Sequence, residues 1–233
     1  MFGVVRTGIP KQMMLLRPPG VYRPQGDTFL LADALRRAAV PAGARVLDVC
    51  TGTGAVAMAA RRNGAGRVIA VDVSRRAVLA ARLNALLYGQ SVRVRRGDLL
   101  DAVEGELFDV ILANPPYVPA PGMPRVPRGS ARAWDAGPDG RDLLDRICAK
   151  APEHLVPGGM LMVVHSALCG VERTLATLRE SGLKASVVAR RREPFGPVMR
   201  ARAATLRTQG LIGAEDDDEE LVVIRADRTR TVR

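Results

Sequence analysis

Aromatic residues make up only 3% of the 233-residue chain. That leaves little on which to stack unpaired bases, as single-strand nucleic-acid binders do. The three cysteines, Cys50, Cys148 and Cys169, are odd in number and widely spaced, which fits neither a disulfide framework nor a zinc site. His154 and His165 are the only histidines, so catalytic metal chemistry is poorly supported and no metal is expected. No apolar run approaches the ~18 residues of a membrane span. MMLL at 13–16 is too short for the core of a signal peptide. No targeting segment or membrane association is therefore expected, and the cytoplasm is the default location. Lysine is nearly absent too: Lys11, Lys150 and Lys184 are the only ones, so the net charge of +11 is carried by arginine. Such a charge suits an acidic or nucleic-acid partner, and coding bias toward Ala and Arg explains it as well.

What is present reads as a globular α/β protein. An apolar fraction of 47% excludes a disordered chain, and the length suits one domain with a full core. We expect a single domain over 1–233, with an N-terminal extension at 1–19 and an insertion at 194–219. Apolar runs predict strands at 45–50, 67–73, 91–98, 108–114, 158–166, 184–192 and 220–226. Helical periods lie between them at 27–39, 54–64, from Ser74 onward, at 139–155 and at 170–182. Asp27, Ser74 and Asp139 are candidate helix caps. Strands alternating with helices imply a doubly wound, mostly parallel sheet, and continuously apolar strands imply helices on both faces. The segment 194–219 breaks the rhythm. Its basic, helix-like part suits a lid, a substrate contact or a surface insertion. The acid run EDDDEE at 215–220 reads as a solvated turn.

Chemistry concentrates at the strand ends. In LDVCTGTGAVA (47–57), Gly52 and Gly54 permit a tight turn and close approach of a ligand to the backbone. The helix start behind them favours an anion, whether pyrophosphate or carboxylate. Asp72 ends the second strand, where it can accept hydrogen bonds from a ribose diol or cap the next helix. A ribose reading leaves NAD and S-adenosylmethionine both open. Asp98 ends the third strand and can accept from an adenine amino group or cap a helix. Asp48 lies in an apolar strand end and needs a partner there, for which a ligand's ammonium is suitable.

NPPY at 114–117 closes the fourth strand, FDVILAN. As a strand stop it needs no further account. As a site it is well built, because prolines lack an N–H and fix the local backbone. The Asn114 side-chain oxygen and the Pro115 carbonyl can each accept one N–H of a planar nitrogen, localising its lone pair. Pro116 stiffens the turn, and Tyr117 offers a flat face to a planar group.

Taken together, these segments resemble class I S-adenosylmethionine-dependent methyltransferases. NPPY resembles the signature of enzymes acting on planar nitrogen: adenine-N6 DNA methyltransferases and the HemK/PrmC glutamine methyltransferases. GVYRPQGDTFLLADAL (20–35) and AWDAGPDGRDLLDR (133–146) resemble the short, one-domain HemK-like members. The likeness covers about residues 18–190 plus the last strand. It implies a Rossmann-like, seven-stranded sheet with the last strand antiparallel. It also implies S-adenosyl-L-methionine as cofactor, leaving S-adenosyl-L-homocysteine, and methylation of a glutamine amide on a protein such as a peptide-chain release factor. Thr28, Asp48, Cys50, Thr51, Gly52, Gly54, Asp72, Val73, Asp98 and Leu99 would then line the cofactor site, with Asn114 facing both cofactor and substrate. Family members often carry Gly where this chain has Cys50, whose side chain must point away from the cofactor or crowd it. They also carry an acid where this chain has Gly26. Short members from eukaryotes and archaea work with a small zinc-binding activator subunit, a possible partner here. Methylation of a base amino group in RNA or DNA, or tailoring of a small molecule or peptide, are the alternatives. A dehydrogenase would explain Gly52, Gly54 and Asp72 but neither Asp98 nor NPPY.

Overall fold

A computed structural model of the chain describes residues 14–122, 131 and 133–229. The expected N-terminal extension and the middle of the proline-rich loop after NPPY lie partly outside the described residues.

Among the described residues, seven strands form one sheet in the order β3-β2-β1-β4-β5-β7-β6. β1 (Arg45–Val49) is buried from Val46 onward and pairs in parallel with both β2 (Arg67–Asp72) and β4 (Phe108–Ala113). β3 (Val92–Arg96) extends the sheet beyond β2, and β5 (Leu155–Ser166) extends it beyond β4. β7 (Asp218–Arg228) runs antiparallel between β5 and β6 (Leu183–Pro194). At the heart of β5, Leu161, Met162, Val163 and Val164 are wholly buried, as a continuous apolar run predicts for a strand covered on both faces.

Helices cover the sheet: α1 (Gly26–Arg37), α2 (Ala55–Arg62), α3 (Arg75–Leu87), α4 (Asp142–Lys150), α5 (Val171–Glu180) and α6 (Pro197–Thr208). In α1, Leu31 and Leu35 sit one turn apart and are fully buried, each contributing about 1.5–3 kcal/mol of apolar burial. Arg36 and Arg37 occupy its last turn, where the helix dipole favours cations. The Ser74 hydroxyl caps α3 by accepting from the Ala77 N–H, as the sequence suggests.

Several boundaries differ from expectation. α1 begins at Gly26, so Asp27 lies inside the helix and does not cap it. Helix 139–155 is α4 followed by a 3-10 turn at Ala151–His154, since Pro152 lacks the N–H needed to continue. Asp139 accepts instead from the Arg141 N–H, before the helix starts. The first strand ends at Val49 because Cys50 takes a left-handed backbone conformation.

The segment 194–219 is packed into the fold. Met199, Ala203 and Leu206 of α6 are buried in the main core. Arg202 ion-pairs with Asp135 at 2.5 Å and donates to the Pro119 carbonyl, bracing the loop that follows NPPY. The acid run divides: Glu215–Asp217 are exposed, whereas Asp218–Glu220 belong to β7. Burial raises the Glu219 carboxyl, against the lowering effect of the Ser166 hydroxyl.

Candidate active site

After β3 the chain returns past β2 and β1 to lay down β4, so the strand order reverses between β1 and β4. Open parallel sheets bind ligands at the carboxyl ends of strands beside such a reversal. Val49 pairs with Ala113 across it, which brings Cys50 and Asn114, the next residues, to the two sides of one crevice. A cleft of about 520 Å³ opens there, within the size range of small-ligand pockets.

One side is built largely from backbone. Cys50, Gly52 and Gly54 all have positive φ, at 58°, 54° and 82°. A β-carbon at Gly52 would meet nothing within 4 Å, whereas one at Gly54 would press on the Ala81 backbone at 3.2 Å. Gly52 therefore leaves the cleft wall bare. Gly54 is the single expected site residue absent from the lining; it lets the start of α2 sit against α3. Cys50 does line the cleft, and burial together with the carboxylates of Asp72 and Asp48 pushes its thiol well above the ordinary range.

Asp72 accepts from the Gly52 N–H and the Ser74 N–H, each at 2.9 Å. It thus ties the turn to the start of α3 and leaves lone pairs over for a ligand. Burial raises its carboxyl, with those N–H groups pulling the other way. Asp48 is 1% exposed. Its Oδ2 accepts from the Thr51 hydroxyl at 2.5 Å and the Ala57 N–H at 3.0 Å. Burial still pushes this carboxyl up to about 7, the behaviour of a buried acid without a cation beside it.

Asp98 lines the cleft, but Arg146 clasps its carboxylate at 2.7 and 3.3 Å, so a ligand there would share it. It stands at the N-terminal end of a 3-10 turn without making a side-chain cap bond. Leu99 follows with φ of 46°, and half-exposed Val73 completes this side. Of the three non-glycine residues with positive φ among the described residues, Cys50 and Leu99 are both in the cleft wall, a placement typical of strained functional turns.

The other side is built from side chains. The Asn114 Nδ2 donates to the Thr28 hydroxyl at 3.2 Å. Tyr117, 8% exposed, donates its hydroxyl to Asp27 Oδ2 at 3.0 Å. Pro115 and Pro116 line the cleft between them. Behind the loop, the Cys169 thiol donates to the Tyr117 carbonyl at 3.1 Å. Gly140 packs so closely there that a β-carbon would clash with the same carbonyl.

Tyr22, Asp27, Arg75, Arg76 and Trp134 also line the cleft and are not singled out as site residues by the sequence. Tyr22 and Asp27 fall within the GVYRPQGDTF stretch, which is the available signal. Nothing marks the two arginines.

These residues suit S-adenosylmethionine. Asp48 provides a buried acid with no cation beside it among the described residues, Asp72 retains acceptor capacity for a diol, and Gly52 leaves room at the turn. Among the described residues no group of three His, Cys, Asp or Glu side chains could hold a metal ion, and no helix is long and apolar enough to cross a membrane.

Comparison with known proteins agrees. Residues 13–122 match the methyltransferase small domain family. A candidate protein N5-glutamine methyltransferase of Methanocaldococcus jannaschii is 35% identical over 181 residues, covering 78% of this chain and 90% of that protein. A release factor glutamine methyltransferase of Geobacter sulfurreducens is 39% identical over 152 residues, but the aligned part covers 62% of this chain and only 53% of the relative. Among solved structures, Mtq2 of E. cuniculi, determined in complex with Trm112 and described as responsible for methylating the translation termination factor eRF1, superposes with a TM-score of 0.64 at 25% identity. The superposition covers 90% of this chain and 99% of that one. The chain belongs to the HemK/PrmC-like N5-glutamine methyltransferase family of class I methyltransferases.

Proposed function

We propose that this chain methylates the side-chain amide nitrogen of a glutamine in a protein, with a peptide-chain release factor as the substrate, and uses S-adenosyl-L-methionine as donor. The observation that carries this reading is the placement of Asn114 and the Pro115–Tyr117 turn on the same cleft as the Asp72–Gly52 turn.

When bound, the cofactor supplies an electrophilic methyl group on a sulfonium. Asp72 would hold its ribose hydroxyls, Asp48 would meet its ammonium, and Leu99 and Val73 would flank its base. On the acceptor side, Asn114 Oδ1 and the Pro115 carbonyl each accept one N–H of the glutamine amide. This draws the nitrogen lone pair out of conjugation and toward the methyl donor. Acceptors held in place before reaction need no reorganisation during it, and alignment of the two reacting groups supplies much of the remaining rate. Tyr117 walls the slot. The nitrogen sheds its surplus proton after the methyl has arrived, so no strong base is required.

Leu79, Leu83, Leu86 and Leu87 are large apolar residues exposed on α3, next to β3, which ends the sheet. This face supports an activator subunit of the kind seen with Mtq2.

The test is incubation with methyl-labelled S-adenosylmethionine and a release factor, with and without an activator subunit, followed by peptide mass spectrometry. Label on a glutamine amide is expected. Label confined to nucleic acid or small molecules would replace the substrate class while leaving the methyltransferase assignment intact.

A further inference from the structure

We infer that Asp27 is a positioning residue for methyl transfer, fixing through Thr28 which end of the Asn114 amide faces the acceptor nitrogen. The inference rests on the planar-nitrogen reading of the cleft and goes beyond it. Asp27 is 2% exposed. Its Oδ1 accepts from the Thr28 hydroxyl at 3.0 Å and the Thr28 N–H at 2.5 Å. Its Oδ2 accepts from the hydroxyls of Tyr22 at 2.7 Å and Tyr117 at 3.0 Å.

A carboxylate only accepts, and a hydroxyl has one proton to give. Thr28 gives that proton to Asp27, so it presents a lone pair to Asn114. Only the NH₂ end of the Asn114 amide can meet a lone pair, which agrees with the observed Nδ2 contact at 3.2 Å. The amide is planar, so Oδ1 is turned the other way, toward the acceptor. Without Asp27 the Thr28 hydroxyl is free to donate, and the Asn114 amide can turn over. Two N–H groups would then confront the N–H groups of the acceptor, and its lone pair would not be drawn out. The same carboxylate takes the proton of Tyr117, so one buried group sets both the amide orientation and the ring that walls the slot. Arg191 donates to the Gly26 carbonyl, which helps hold the start of α1 beneath this arrangement.

The experiment is a double-mutant cycle in kcat at saturating cofactor, using the full chain with its release-factor substrate. Asp27→Ala alone should lower kcat by about 10–100-fold, and in the Asn114→Ala background it should cost clearly less, only the part that passes through Tyr117 remaining, because residues acting as one unit are non-additive. Multiplying losses would overturn the proposal, since a merely structural role gives independent effects. Should Asp27→Ala fail to fold, Thr28→Val replaces it in the cycle, with Thr28→Ser expected to restore the wild-type rate. A Thr28→Ser variant as slow as Thr28→Val would also overturn it. The Asn114 side-chain amide resonances, assigned by their loss in Asn114→Ser, give a readout independent of turnover. They should be protected from solvent exchange in the wild type and unprotected in Thr28→Val; equal protection in both would refute the relay. If the wild type leaves glutamine unmethylated, the substrate reading falls while those resonances still decide the role of Asp27.

Discussion

The two sides of the cleft are built by different means. Around Asp72 and Gly52, the contacts run between a carboxylate and backbone N–H groups near a tight turn. Around Asn114, they run between side chains separated by 86 and 90 positions in the chain. The backbone-built side needs a few residue types at set places. The side-chain-built side needs every member in place at once, and each member has only one useful orientation.

The comparison breaks most severely at Asn114. Asn114→Ala should lower kcat by about 10²–10³-fold, the usual effect of losing one preorganised hydrogen-bonding group. Its cofactor affinity, measured by calorimetry, should be largely retained and fall far less than kcat. Asp72→Ala should do the reverse, weakening cofactor binding by about 100-fold through two lost hydrogen bonds to a charged group, with kcat nearly kept at saturation. Should both variants fail in the same parameter, the division into two sides is wrong.

Gly140→Ala should reduce stability by about 2 kcal/mol or more, because the new methyl meets backbone and the left-handed conformation penalises a side chain. Urea titration would register this loss, and the cost should appear at the acceptor side as lowered kcat. A smaller, graded effect comes from pH. The Asp48 carboxyl is pushed up to about 7 by burial, and an ammonium beside it favours the charged form. Cofactor binding should therefore expel a proton below that pH. Affinity should fall by at most about tenfold per unit as pH drops below 7 and level off above it. Asp48→Asn should bind more weakly at pH 8 and lose this slope. A slope unchanged in Asp48→Asn would assign the titration to another group. The smallest effect is expected at Cys50, where Gly relieves a left-handed backbone but adds freedom to the unfolded chain. Cys50→Gly should shift stability by less than about 1 kcal/mol.

The contrast also explains what is legible in the sequence. Strands such as β4, apolar without a break from Val110 to Ala113, are easily read, and the turn at 50–54 announces itself through glycines. Asp72 and Asn114 stand where those strands end, so local reading locates them. Asp27 reads as a helix cap because that role is local. Of its actual partners, Tyr22 is only five positions away, but Tyr117 depends on how α1 meets the end of β4. Asp98 reads as free to face a base, but Arg146 reaches it from α4, 48 positions away. The segment 194–219 reads as an insertion because a helix with few buried positions resembles surface. Met199, Ala203 and Leu206 become informative only once their neighbours are known.

The placement of β7 has a consequence for the order of assembly. It follows β6 in the chain yet lies between β5 and β6, so β6 has no partner in the sheet until β7 has been made. During synthesis β5 would present an open edge, a recognised invitation to mispairing, while α6 and Arg202 could not yet hold the NPPY loop against its neighbours. The glycine turn, drawn from earlier residues, can form well before then. On the proposed reading, a growing chain would acquire the means to hold a methyl donor before it has a finished place for the acceptor.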